Sequence, residues 1–217
     1  ASRPGDAPVH LVHCPALYQR PSIYSNDPDE HLRFLVLVRA ALEACGRLRF
    51  APDILHANDW QAAMAPLTLK VRYAWDRIFE RTRTVLAIHN LNYQGMFRAD
   101  VLPDTGLTDA AHLFHQDQLR EGRINFLLHG ILYADGVVTV SPTYAREIQT
   151  PEHGAHLDPF LRARSSTVVG ILNGVDYAEW SPERDGLIPA RFSADDLAGK
   201  AACRAADWKV SPSLRSD

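Results

Sequence analysis

Three observations predict an α/β fold, a Rossmann-like doubly wound parallel sheet. Short apolar runs rich in β-branched residues recur along the 217-residue sequence, stretches with helical spacing separate them, and each run breaks off abruptly into polar residues. The central case is Val85 to Ile88, which gives way to His89, Asn90, Asn92, Tyr93, Gln94 and Gly95. Ligands of open parallel sheets sit beyond the carboxyl ends of the strands, so residues in these positions are the first candidates for a site.

The remaining elements follow in order. Val9 to Cys14 alternates apolar and polar residues and stops at Pro15, which predicts a short strand running into a loop that carries Tyr18. Asp29 is placed to cap a helix of about sixteen residues ending near Gly46, apolar around most of its circumference and expected to be largely buried. Ile54 and Leu55 predict a brief buried strand, with His56, Asn58, Asp59 and Trp60 at its carboxyl end. Trp60 to Trp75 reads as a helix that Pro66 perturbs, and Arg98 to Gln118, with Pro103 and Gly106, as a surface excursion. Leu119 to Tyr133 has helical spacing, and Gly136 to Val140 is a buried strand. Ser141-Pro142 opens a helix reaching Thr150, and Val168 to Leu172 is a last apolar run ending in the turn Asn173-Gly174.

Composition narrows the function. Hydrophobic residues make up 46% and charged residues 23%, the balance of a soluble globular domain. The net charge of -3 arises from 23 basic and 26 acidic residues without a long single-sign block, so neither nucleic acid nor a membrane is an expected partner. Three widely spaced cysteines with no C-x-x-C pair suggest neither a disulfide framework nor a zinc site and fit a reducing cytoplasm. The longest apolar stretch, Phe34 to Val38, falls far short of the roughly 20 residues that span a bilayer, and no secretory signal pattern opens the chain. The chain starts at Ala1 rather than Met and closes in the polar Ser213 to Asp217, and is expected to be a fragment.

Candidate chemistry gathers at the strand ends. His56, Asn58, Asp59 and Trp60 follow one strand, His89, Asn90 and Gln94 another, and Ser141 and Asn173-Gly174 two more. Amides, carboxylates and aromatic rings are what a sugar needs for its hydroxyls and its C–H faces. Taken singly, Asp59 also reads as a helix cap and His89 as a hydrogen-bonded structural histidine. The pairs His10/His13, His112/His115 and His153/His156 have metal-like spacing but sit on opposite faces of a predicted strand or in loop-like sequence, so no metal is expected. Neither a G-x-G-x-x-G nor a Walker motif occurs, so no phosphate-cradling loop is expected.

Four segments in order carry a resemblance: D-I-L-H-A-N-D-W-Q-A (53–62), A-I-H-N-L-N-Y-Q-G-M-F (87–97), Y-A-D-G-V-V-T-V-S-P-T-Y-A-R-E-I (133–148) and G-I-L-N-G-V-D (170–176). Together they resemble the N-terminal catalytic domain of bacterial glycogen synthases and plant starch synthases, over residues 1–206, with 207–217 a non-matching tail. The resemblance implies the N-terminal half of a GT-B glycosyltransferase that transfers glucose, with retention, from ADP-glucose to the non-reducing end of an α-1,4-glucan. It implies catalytic roles for His89 and Asp59, substrate-binding roles for Tyr18, Trp60, Asn90, Gln94 and Asn173, no cofactor, and a cytoplasmic location, or a plastid in a plant. The family's first strand, its Lys-x-Gly-Gly-Leu loop and its C-terminal nucleotide-binding domain have no counterpart here, and Leu128-His129 stands where a Lys and a small residue are usual. The chain by itself is therefore expected to be inactive. The other readings are a glucan-binding module without chemistry and a GT-B enzyme using another sugar nucleotide.

Overall fold

The computed structural model describes residues 7–25 and 27–210, so the start of the chain and residues 211–217 of the non-matching tail lie outside the description. It divides into two compact units, Ala1–Leu172 and Asn173–Asp217.

The first unit opens without the expected strand. Residues 9–14 have no regular secondary structure and lead into the single-turn helix α1, Pro15–Tyr18. A strand needs a ladder neighbour, and alternation of side chains does not supply one. Helix α2, Glu30–Leu48, runs slightly longer than expected, and Arg49 ends it in the left-handed conformation at φ 52°. Asp29 occupies the N-cap position, but its carboxylate accepts from Arg20 Nη2 at 2.7 Å instead of capping. One face of α2 is buried through His31, Leu35, Val38 and Leu42 at helical spacing and Arg33 is buried on another, while Leu37 is 38% exposed.

Strand β1, Ile54–Asn58, is followed by helix α3, Asp59–Ala62, and helix α4, Ala65–Arg72. The break falls just before Pro66, which the first turn of α4 tolerates because its missing N–H has no partner to lose there. Strand β2, Arg83–Ile88, then runs parallel to β1, pairing Ile54 with Arg83 through to Asn58 with Ala87. The expectation of a buried first strand fails, because among the described residues β1 pairs on one side only and leaves Ile54 53% exposed.

The segment from Met96 to Tyr133 departs most from expectation. Strand β3, Met96–Arg98, pairs antiparallel with strand β4, Arg123–Asn125. Between them are 3₁₀ helices at Ala99–Thr105 and Thr108–Leu113 and the short helix α5, Gln116–Arg120. Part of this stretch is interior rather than a surface excursion: Leu107 and Phe114 are 0% and 2% exposed. Helix α6, Phe126–Tyr133, covers only the second half of the predicted helix and buries every residue from Phe126 to Ile131. Its first free N–H groups are satisfied by the loop after β2, with Phe126 N–H donating to Gly95 O and Leu127 N–H to Gln94 O, both at 3.0 Å.

Strand β5, Gly136–Thr139, lies beside β2, and Ser141 Oγ caps helix α7, Pro142–Glu147, by accepting from Tyr144 N–H at 2.9 Å. Helix α8, Asp158–Ala163, precedes strand β6, Val168–Gly170, which completes the sheet. The order β1-β2-β5-β6 is parallel throughout. Leu86, Ile88 and Val137, on the face that bears the core, are fully buried, whereas Val169 on the other face is 51% exposed. In the second unit the main regular element is helix α9, Ala198–Val210, and Cys203 Sγ lies 3.1 Å from Ala190 O.

Candidate active site

Register makes the site. Asn58 of β1 lies beside Ala87 of β2, so the residues just past the two carboxyl ends, Asp59 and His89, are brought together although 30 positions separate them. Asp59 adopts φ 53°, a left-handed conformation that is costly for any residue with a Cβ and that recurs where surrounding structure imposes it at functional positions. The consequence is visible in its carboxylate. Oδ1 accepts the backbone N–H of His89 at 2.7 Å, and Oδ2 meets His89 Nδ1 at 2.9 Å. Asp59 thus fixes both the backbone and the ring of His89, orients Nε2 outward, and favours a proton on Nδ1. The cap position of α3 belongs to Asn58, whose side chain makes no capping bond.

Next to this pair is a cavity of about 570 Å³ lined by Tyr24, Glu30, Asp59, Gln61, Tyr93 and Gln94 among others. Two carboxylates line it and, among the described residues, no Lys or Arg does, so it suits a neutral hydroxyl-rich ligand better than a phosphate. Tyr24 is 58% exposed, and its hydroxyl accepts from Gln61 Nε2 at 2.8 Å. Ser25 Oγ, on the same wall, is buried with no hydrogen-bond partner among the described residues. A larger cavity of about 770 Å³ lies at the opposite, amino end of β2, beside Thr84, and is remote from His89.

Two of the candidates are placed differently from expectation. Tyr18 does not line the cavity; its hydroxyl donates to Arg33 O at 2.7 Å, and burial raises its pKa. The tyrosine of this Pro- and Ser-rich loop that lines the cavity is Tyr24, six residues on, and Tyr93 lines it from the loop after β2. Trp60 does reach the wall, but it is 7% exposed, its ring edge-on to Phe34 at 4.5 Å between centroids and 5.8 Å from Phe97. Gly95, at φ 61°, presses on the same ring so closely that a Cβ there would lie 2.3 Å from Cε3. Trp60 therefore supports the site from within the core and offers no free face for a sugar to stack on.

Asn90 closes a turn by accepting from Asn92 N–H at 3.0 Å. Gln94 Oε1 accepts from Asn125 Nδ2 at 2.5 Å and Nε2 donates to Ala155 O at 2.9 Å, which fixes the amide between this cavity and a neighbouring one of about 550 Å³. Asn125 is fully buried, and its Oδ1 also caps α6 through Leu128 N–H. Asn173 is exposed and begins the second unit. Among the described residues no group of His, Cys, Asp or Glu is arranged to hold a metal.

His129 lies beneath this framework, 1% exposed, and burial pushes its pKa down to about 4. Its Nε2 accepts the backbone N–H of His115 at 3.2 Å, which leaves Nδ1 to donate to Asn125 O at 2.7 Å. The neutral ring is thereby satisfied on both sides.

The family model described as "Starch synthase catalytic domain" matches residues 2–163. The chain belongs to the starch synthase catalytic-domain family. It is 46% identical to a glycogen synthase of Anaeromyxobacter dehalogenans (strain 2CP-C) over 213 residues, covering 93% of this chain and 43% of that one. It is 47% identical to a glycogen synthase of Myxococcus xanthus over 176 residues, covering 81% and 37%. Its structure is similar to the catalytic domain of starch synthase IV from Arabidopsis thaliana bound to ADP and acarbose, with a TM-score of 0.72 and 35% identity, covering 88% of this chain and 39% of that one. The chain thus spans less than half the length of these glycosyltransferase relatives. Within the family frame, Leu128 and His129 take up interior positions in α6, at 0% and 1% exposure.

Proposed function

We propose that this chain supplies the glucan-facing wall of a retaining glucosyltransferase that moves glucose from ADP-glucose to the non-reducing end of an α-1,4-glucan. The observation that carries the reading is the two-point hold of Asp59 on His89 at the carboxyl end of a parallel sheet, in a chain of the starch synthase family. The starch synthase IV structure, with ADP and acarbose bound, supports the choice of nucleotide and glucan as substrates.

In this reading His89 presents Nε2 to the transferred glucose and stabilises charge as the glycosidic bond to the diphosphate breaks and an oxocarbenium-like centre forms. A donor fixed in advance is effective there because it needs no reorganisation as charge develops. Asp59 acts through His89 as a positioning residue. Tyr24, Glu30 and Gln61 meet the hydroxyls of the bound sugar, Asn90 extends this contact, and Gln94 holds the shape of the wall. Among the described residues the acidic cavity has no basic partner for a diphosphate, which supports a reading in which a second, nucleotide-binding domain holds the donor's phosphates and the chain by itself is inactive. No cofactor takes part, and the setting is cytoplasmic.

The test combines this chain with a separately produced C-terminal domain of a related synthase and follows ADP-glucose-dependent elongation of maltooligosaccharide. Activity is expected only in the mixture, falling by about 10²–10³ with His89→Ala, the range seen when one preorganised donor is removed. A mixture whose activity is indifferent to His89→Ala refutes the assignment. Glucan binding without turnover in any combination favours a non-catalytic binding module.

A further inference from the structure

The loop that carries Tyr24 is gripped by helix α2. The backbone groups on either side of Tyr24 are both bonded to side chains at the start of that helix. Arg33 Nη1 donates to Ile23 O at 2.6 Å, and Glu30 Oε1 accepts Ser25 N–H at 2.9 Å. Arg33 Nη1 also stands 3.8 Å from Glu30 Oε1, the i,i+3 neighbour on the helix surface. The base of the loop is pinned as well, since Arg20 donates to Asp27 Oδ2 at 2.8 Å and to Asp29 Oδ2 at 2.7 Å. Tyr24 thus belongs to a loop held at its base and on both sides of its own Cα.

Arg33 is the member of this arrangement that no role yet explains. It is 5% exposed and does not line the cavity. Among the described residues its Nε is buried without a partner, and its only carboxylate within 4 Å is that of Glu30. A guanidinium buried on so few bonds is a poorer stabiliser than an apolar side chain of the same size. Its charged end lies 5.6 Å from the centroid of the Phe34 ring, and that ring is edge-on to Trp60 at 4.5 Å. Arg33 therefore joins two aromatic parts of the wall, the Tyr24 loop and the Phe34–Trp60 pair.

Resting on the glucan reading above, we infer that Arg33 is a positioning residue for the acceptor, touching no sugar and acting through Tyr24. An aromatic side chain ordered before the sugar arrives spares binding the cost of ordering it. Glu30 does the same from the other side of Tyr24 through Ser25 N–H, and among the described residues its Oε2 makes no hydrogen bond, which leaves it for a sugar hydroxyl. The Asp59–His89 pair shares none of these bonds, so loss of Arg33 acts on acceptor binding and not on that pair.

The test is titration of the 217-residue chain with maltoheptaose, using Arg33→Met, Arg33→Lys, Tyr24→Ala and the double variant Arg33→Met/Tyr24→Ala. Methionine keeps an unbranched stem against Phe34 but donates nothing, so Arg33→Met is expected to weaken binding roughly tenfold. Lysine can still donate to Ile23 O and should retain most of the affinity. In the Tyr24→Ala background Arg33→Met should change affinity by no more than about twofold, because the side chain it orients is gone. In the mixture with a C-terminal domain Arg33→Met should raise the KM for glucan and leave kcat within about twofold. Equal binding by Arg33→Met and the unchanged chain overturns the inference and leaves the proposed function standing. A loss of full size that persists without Tyr24 overturns it too, by showing that Arg33 acts through another part of the wall. If urea unfolding shows that Arg33→Met does not fold, Arg20→Met, made at the base of the loop rather than in α2, decides the matter, and unaltered binding by it overturns the inference. No binding of maltoheptaose by the unchanged chain overturns it together with the glucan part of the proposed function.

Discussion

Replacing Gly95 by alanine tests the support beneath the site. Two costs are separable. Gly95 sits at φ 61°, where an added Cβ costs about 1 kcal/mol. That Cβ would also lie 2.3 Å from Trp60 Cε3 and 2.8 Å from Cδ2, atoms of a ring wedged against Phe34 and Phe97 and unable to swing aside cheaply. Overpacking of this kind costs a further 1–3 kcal/mol, roughly, so Gly95→Ala should destabilise by about 2–4 kcal/mol. Two other glycines divide the sum. Gly122 has φ 74° with nothing within 4 Å, so Gly122→Ala reports the backbone term of about 1 kcal/mol alone. Gly130 has an ordinary φ inside α6, but its Cβ would meet Ala63 Cβ at 2.8 Å, so Gly130→Ala reports overpacking of roughly 1–3 kcal/mol less the roughly 0.5–1 kcal/mol that alanine gains within a helix. Urea unfolding followed by far-ultraviolet circular dichroism measures all three. If Gly95→Ala costs no more than Gly122→Ala, the ring does not press on the loop as described and the account of Trp60 as a buried support is wrong.

Other outcomes follow from particular contacts. His129 is held neutral with a pKa near 4, below the ordinary 6.5, so between these values the unfolded chain binds a proton that the folded chain refuses. Stability should fall as pH drops through that window, by up to about 3 kcal/mol below pH 4, and be unaffected by this group above pH 6.5; His129→Gln should flatten the slope of urea midpoint against pH. Ser141→Ala removes the cap of α7 and should cost about 1 kcal/mol in the same unfolding assay. Tyr24→Phe should weaken maltooligosaccharide binding in a titration while Tyr18→Phe leaves it unchanged and costs only about 1 kcal/mol of stability from the lost bond to Arg33 O. Asp59→Ala should free the His89 ring, seen as broadening and a shift of its imidazole resonances, whereas Asp59→Asn keeps one bond and should move them less.

The parallel strands were legible because each is a short apolar run ending in polar residues, and the same pattern put Asp59 and His89 on one edge. The β3–β4 pair was hidden. Met96-Phe97-Arg98 and Arg123-Ile124-Asn125 are too short to show a period, and their pairing joins positions far apart in sequence. The interior character of Leu107 and Phe114 was masked by the polar residues around them. Tyr18 and Tyr24 share one loop and one residue type, and the difference between them is direction, which only the packing of Arg33 and Gln61 decides. Trp60 was recognised as part of the wall, but whether an aromatic next to a site shows its face or its edge depends on what packs behind it, here Phe34 and Gly95.

The reach of Asp59 across two strands also sets when the site comes into being during folding. No local segment contains both halves of the pair, since the carboxylate and the imidazole lie 30 residues apart and meet only once β1 has closed on β2 in register. Parallel pairing of this kind is a non-local, late event, because the intervening chain must be confined before the contact repays it. Helices α4 and α6 can therefore form on a chain that still lacks any site. During refolding the His89 ring should reach its final environment after helical signal has recovered, which makes that ring a clock for the completion of the sheet.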